Sequence, residues 1–231
     1  MITVATIATY AIGWLFGVPA LLPFLNAAPA WWLMARALRV GQVNRAIAIM
    51  LIWAATLAVC ATAMAAFGWT RRGGGELFLQ ADYKTQMISW VQTGVGPESD
   101  PAAFVPRQLA YAAVFTAAAV ATGGVLAMPM GAVLMNSMGD YVGTLAARGA
   151  HPLPLAVLGW HPWAILRIIG FVILGVVLSG VLLSRVWTFE YSLSAQTRWL
   201  TIGVALLAVD IAVKWMLAPA WSPLLRGLAG W

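Results

Sequence analysis

The stretch that decides the fold is WAILRIIGFVILGVVLSGVLL, residues 163–183, in which Arg167 is the sole charged side chain. A helix of ~18 or more apolar residues is long enough to cross the hydrocarbon of a bilayer, and only structures that satisfy their own backbone groups can do so. Working outward, four further apolar runs occupy residues 2–25, 46–69, 109–135 and 199–217. Over the whole 231 residues, 62% are hydrophobic and 9% are charged, whereas a soluble domain carries about 25% charge. The expected fold is all-α: a polytopic membrane helix bundle forming one integral domain. It would have about five transmembrane helices, one or two interfacial amphipathic helices and an outer loop over residues 70–108.

Tryptophan placement supports these edges. Trp31, Trp32, Trp69, Trp160, Trp163, Trp187, Trp199 and Trp221 fall at or just beyond run ends, where an amphipathic ring is best placed. The segment Pro29–Arg39, with Trp31-Trp32 and Arg36 and Arg39, has the composition of a short helix at headgroup level. Pro19 and Pro23 suit a bend or stop at the end of the first run. No charged side chain precedes that run, while Arg36, Arg39 and Arg45 follow it. Basic residues resist translocation, so the amino terminus is expected outside. The alanine-rich composition points to a bacterial inner membrane, crossed several times.

In the outer loop, Arg71-Arg72-Gly73-Gly74-Gly75 reads as a flexible start and Glu76 to Val91 as an amphipathic helix. Ala54, Ala58, Ala61 and Ala65 in the second run, Ala112, Ala113, Ala117, Ala121 and Gly124 in the third, and Gly175 with Ser179 in the fourth have the spacing of close helix contacts.

Asp210 and Lys214 are the strongest chemical signal. Asp210 lies eleven residues past Trp199, about 16 Å into a helix. An ionised group at that depth costs about 2.5 kcal/mol or more on insertion scales, so it faces protein or water. Lys214 follows one turn later on the same face, in the orientation that favours an intrahelical pair. Two readings stand: a self-neutralised pair with Lys214 reaching toward the interface, or an ion relay or partner anchor. Asn136 and Asp140 end the third run and Arg167 opens the fourth. Asp140, Arg167, Asp210 and Lys214 are therefore expected to share one level.

Other chemistries lack parts. Met128, Met130, Met135 and Met138 around Pro129 have the thioethers of a Cu(I) site, but no outer-loop His or Cys accompanies them and Met also fills core gaps. His151 and His161 flank a Pro- and Trp-rich stretch that fits an interfacial or re-entrant turn better than haem ligation. Cys60 is the sole cysteine, so no intrachain disulfide forms. Neither metal-ligand spacing, paired intramembrane glutamates, a phosphate loop nor a nucleophile with its base is visible. No catalytic residue, cofactor or metal site is assigned, and the 13 scattered basic residues make no nucleic-acid surface.

From about Phe104 onward the layout resembles the stage II sporulation protein M family of bacterial membrane proteins. The shared features are a basic residue before an alanine-rich span, Asn136, and a His-Pro element (Trp160-His161-Pro162-Trp163) before a Gly-spaced span. A last span follows with an ionisable residue and an Ala218-Pro219 exit. In place of the family's Pro-His-Gly element and its following acid, this chain has Trp160-His161-Pro162-Trp163 and Arg167. The resemblance implies a non-enzymatic partner of envelope machinery or of a transport system. The function expected is an accessory or scaffold subunit of an inner-membrane assembly, contacting lipid and other subunits or a second copy. The alternative is a small transporter or channel component with Asp210 and Lys214 in an ion or proton path.

Overall fold

The computed structural model describes residues 1–16, 21–68 and 80–231. Pro19, Trp69, the Arg71–Gly75 segment and the Glu76–Leu79 start of the expected amphipathic helix lie outside the described residues. Those described form helices and connecting turns, with no strand among them. In order they are α1 (Ile2–Phe16), α2 (Leu22–Arg39), α3 (Val43–Ala66), α4 (Gln80–Thr93), α5 (Pro101–Thr122), α6 (Ala127–Arg148), α7 (Pro152–Leu158), α8 (Pro162–Trp187) and α9 (Thr197–Ala229). Four are long and apolar enough to cross a membrane: α3, α5, α8 and α9 with the short 3₁₀ turn before it.

Two expected spans are each divided between helices. The run 109–135 is the end of α5 and the start of α6, which turn back on one another at Gly123 and Gly124. Both glycines are left-handed (φ +57° and +86°), and a Cβ on Gly124 would lie 2.5 Å from Ser179 Oγ. Only glycine fits such a backbone this close to another helix. The run 2–25 is likewise α1 and the start of α2. Gly13 approaches Leu22 and Thr9 donates to Asn26, so the two helices are antiparallel. The amino terminus is thereby carried back along α2 toward Arg36 and Arg39. This removes the premise on which an outside amino terminus was expected, a single crossing followed by basic residues.

Nor is Pro29–Arg39 a separate interfacial helix. It continues α2, with Pro29 inside, and Ala30, Met34, Ala35 and Leu38 are buried in the main core.

The turns α2–α3, α5–α6 and α8–α9 gather at one end of the bundle. There Trp31 donates to the Gly123 carbonyl, Trp31 and Trp32 meet the edge of Trp187, and Trp199 donates to Asn44. At the other end α4 and α7 close the bundle. Ser222 of α9 donates to the Trp90 carbonyl, and the Ala150 and His151 N–H groups reach the last turn of α9. Among the described residues, Arg36, Arg39, Arg45, Arg185 and Arg198 flank the turn end, Lys84, Arg107, Arg148 and Arg226 the other, and Arg167 and Lys214 lie between.

Lipid removes the hydrophobic drive between helices, so contact area comes from close approach of small residues. The alanine stripe of α3 performs this. A Cβ on Gly139 of α6 would fall 2.3 Å from that of Ala61, and one on Gly143 would fall 2.6 Å from that of Ala65. These pairings rise together along both chains, so α3 and α6 are parallel neighbours. Gly170 of α8 similarly meets Gly203 and Leu207 of α9. In α5 the expected small face is mostly outward: Ala113, Ala117 and Ala121 are exposed, and Phe115 and Ala119 pack instead. Sixteen of the twenty-two residues of α6 are buried, so protein surrounds it and it tolerates Asn136, Ser137, Asp140 and Thr144.

Candidate functional site

The inward face of α9 is a narrow stripe of Gly203, Asp210, Lys214, Ala218, Ser222, Leu225 and Ala229. This spacing of three, four and seven follows one side of a helix, so the position of Gly203 and Ala218 already aims Asp210 and Lys214 at the bundle. Both are buried, at 0% and 2% exposure.

They do not pair with each other. Arg167 of α8 clasps Asp210 with two bonds, Nε to Oδ2 at 2.9 Å and Nη2 to Oδ1 at 3.0 Å. This is the fork-on-carboxylate arrangement that gives strong, oriented ion pairs. Gln108 of α5 also donates to Asp210 Oδ2. Lys214 instead reaches Glu98, Nζ to Oε2 2.9 Å, and sits 4.2 Å from the centre of the Phe104 ring. The self-neutralised Asp210–Lys214 pair and a Lys214 snorkelling to the interface are thus both replaced by partners from α5, α8 and the loop ahead of α5.

Asp140 stands apart, bound to Lys84 of α4 at 3.0 Å. Asn136, one turn earlier on α6, accepts from Tyr10 of α1. The expected four-residue cluster is therefore two sites: Arg167–Asp210 beside Lys214–Glu98, and Lys84–Asp140 next to Asn136. Buried and without a hydrogen bond among the described residues are Asn26 Nδ2, Asn136 Nδ2, Asp140 Oδ1 and Tyr111 Oη.

Two cavities adjoin the first site. One, of about 120 Å³, is almost wholly apolar, with Trp53, Phe115, Met128 and Met135 in its wall. The other, of about 170 Å³, is lined by Glu98, Arg107, Gln108 and Lys214 among others. Tyr83, Tyr111, Leu134, Arg167 and Phe171 line both.

Beside them is an aromatic knot. His161 is 1% exposed, stacks on Trp163 at 4.6 Å and meets the Trp90 ring at 5.4 Å. Burial, with the nearby Lys214 and Arg167 charges, lowers its pKa to about 3. It is a neutral core imidazole rather than part of an interfacial turn. Trp163, also 1% exposed, is a core residue and no part of a girdle. The turn expectation fits α7 better, where Leu153 and Val157 are exposed. Met128, Met135 and Met138 are buried packing residues. Among the described residues, no three His, Cys, Asp or Glu side chains are grouped to hold a metal.

Sequence reasoning missed Glu98, Gln108, Lys84, Tyr83 and Tyr111. Glu98 sits in a Gly-Pro-Glu-Ser-Asp turn that reads only as solvated loop. The available signal was the Asp100-Pro101 helix start, where Asp100 caps the Ala102 N–H. A helix starting at residue 101 puts Phe104, Arg107, Gln108 and Tyr111 at helical spacing along one face.

No protein-family model, no curated protein and no solved structure matches this chain.

Proposed function

We propose that the chain is a non-enzymatic integral membrane protein serving as an accessory or scaffold subunit of a larger membrane assembly. The observation that carries this reading is the closure of the charges on α8 and α9. Asp210 is bound by Arg167 and Gln108, and Lys214 by Glu98. A permeation or relay path through Asp210 needs its carboxylate open, whereas Arg167 and Gln108 enclose it and Glu98 holds Lys214, so that these contacts lock α5, α8 and α9 together. What the bundle then offers outward is apolar: Val204, Val209, Trp215, Met216 and Leu224 of α9, and Leu109 and Val114 of α5. The resemblance of the second half to stage II sporulation protein M-like proteins supports the same role. A bacterial inner membrane is the proposed host, with the Arg36–Arg45 end toward the cytoplasm.

The test is gentle purification of tagged protein from native membranes, beside Val209→Trp, which alters the outward face of α9. A stoichiometric partner lost in the variant, with unchanged thermal stability, is expected. A partner-free protein that conducts ions or protons in liposomes would overturn the reading.

A small transporter is the second reading, and one observation favours it. Asp140 Oδ1, Asn136 Nδ2 and Asn26 Nδ2 are buried polar atoms without protein partners among the described residues, and such atoms are commonly served by water. A hydrated thread along α6 would run through Asp140, not Asp210. In that case Asp140→Asn abolishes flux while Asp210→Asn does not.

A further inference from the structure

The two cavities beside Arg167 share a wall, and the second adds the charged side chains Glu98, Arg107 and Lys214 to its lining. Tyr83, Tyr111, Leu134, Arg167 and Phe171 belong to both. On one side lie Trp53, Phe115 and Met128; on the other, Arg107, Lys214 and Glu98.

Tyr111 stands at the junction with its hydroxyl buried and unbonded among the described residues. A buried hydroxyl without an acceptor is costly, and the Tyr111 side chain is part of the wall the two cavities share. Arg167 is held by Asp210 through Nε and Nη2, yet a quarter of its side chain is exposed, at 25%. Asp210 itself is 0% exposed and lines neither cavity. Arg107 is exposed, lines the second cavity and makes no ion pair among the described residues. Three cations, Arg107, Arg167 and Lys214, thus stand against two carboxylates, Glu98 and Asp210, leaving one positive charge over.

The apolar compartment, about 120 Å³, is near the size of engineered cavities of roughly 150 Å³ that stay dry and take up benzene. The single surplus charge matches a monoanion better than a dianionic phosphate.

We propose that this two-part cavity binds a small monoanionic amphiphile, a carboxylate carrying an aryl or short branched apolar group. The carboxylate lies against Arg107 in the second cavity, facing Arg167 and Lys214, and the apolar end lies among Trp53, Phe115 and Met128. The site shares Arg167 and Lys214 with the pairs that brace the bundle but leaves those pairs intact, and a ligand here fills the space between α3, α5, α6 and α8.

The probe is 4-phenylbutyrate, titrated calorimetrically into the full chain in lipid nanodiscs with empty nanodiscs subtracted; 4-phenylbutan-1-ol is its uncharged counterpart. One saturable site is expected for the carboxylate, with the alcohol at least about tenfold weaker, as befits loss of a charge-assisted hydrogen bond. Gly131 lines the apolar compartment, and a Cβ there would meet nothing within 4 Å. Gly131→Phe should fill the compartment and abolish saturable binding. Arg107→Gln, at an exposed position, should weaken it at least about tenfold without changing the unfolding temperature. This second variant decides the matter if Gly131→Phe fails to fold. No saturable binding by the native chain, equal affinity for the alcohol, or undiminished binding by Arg107→Gln would each overturn the proposal.

Discussion

Breaking the Arg167–Asp210 clasp should cost far more than removing it whole. Asp210 has no exposure and three donated hydrogen bonds, two of them from Arg167. Arg167→Met leaves a buried carboxylate with Gln108 alone. Removing one partner of a buried pair costs about 3–5 kcal/mol. Asp210→Leu leaves a guanidinium that is 25% exposed, so its cost should lie at the lower end, about 2–4 kcal/mol. The double variant leaves no unpaired charge and places apolar side chains of similar length in the gap; replacing a buried pair in this way is roughly neutral, within about 1–2 kcal/mol of the native chain. The coupling between the sites is then about 3 kcal/mol or more. It is measured as a double-mutant cycle on reversible unfolding of the detergent-solubilised protein. Strict additivity, or an Arg167→Met variant within about 1 kcal/mol of native, would refute the claim that this pair braces the bundle. It would return Asp210 to the role of an anchor for another chain.

Gly139→Ala should destabilise by on the order of 1–3 kcal/mol through overpacking, because its Cβ would sit 2.3 Å from that of Ala61. Gly131→Ala, facing open space, should instead stabilise α6 by up to about 1 kcal/mol, and unfolding midpoints separate the two outcomes. His161 has its pKa lowered from 6.5 to about 3, so folding favours its neutral form. Its contribution is fully present above pH 6.5 and is lost progressively as pH falls from 6.5 toward about 3. A stability–pH series should show that slope in the native chain and lose it in His161→Phe. In a Cys60→Ala background, an impermeant thiol reagent should label cysteines at 100 and 150 from one side of the membrane and a cysteine at 125 from the other. Labelling of 100 and 150 from opposite sides would restore a single span over 109–135.

Hydropathy located α3, α8 and the first part of α9 because each is a single long, mostly apolar helix with charged or tryptophan edges; α9 runs on beyond the expected end at 217, through Pro219 and Pro223, to Ala229. Hydropathy failed at Gly123-Gly124 for a physical reason. A two-glycine turn between Ala121 and Val125 is as apolar as the helices it joins, so the profile runs through the reversal. The sign present in the sequence was conformational: adjacent glycines after Thr122, with Pro129 soon after. Pro29 misled in the opposite sense, as a helix start where α2 continues through it. Of the candidate site, Arg167, Asp210 and Lys214 were legible because charge inside an apolar run is conspicuous. Their partners Glu98 and Gln108 were not, and nor was Lys84, which holds Asp140, since all three sit in polar surroundings where nothing marks them as inward-facing.

The reversal at Gly123-Gly124 also bears on how the chain enters its membrane. α6 carries Asn136, Ser137, Asp140 and Thr144 among its buried residues and would be a poor guest for lipid if released alone from an insertion machine. Tied to α5 by so short a turn, it can enter as one half of a helical hairpin, and the partners of Asn136 and Asp140, Tyr10 of α1 and Lys84 of α4, are already made. Its principal neighbour, α3, is made earlier and waits with a bare alanine stripe; α8 and α9, made later, close over the other side. A longer, looser turn at this point would give α6 time to face lipid unprotected, and the burden would show as slow or failed insertion during synthesis, even where the finished bundle is stable.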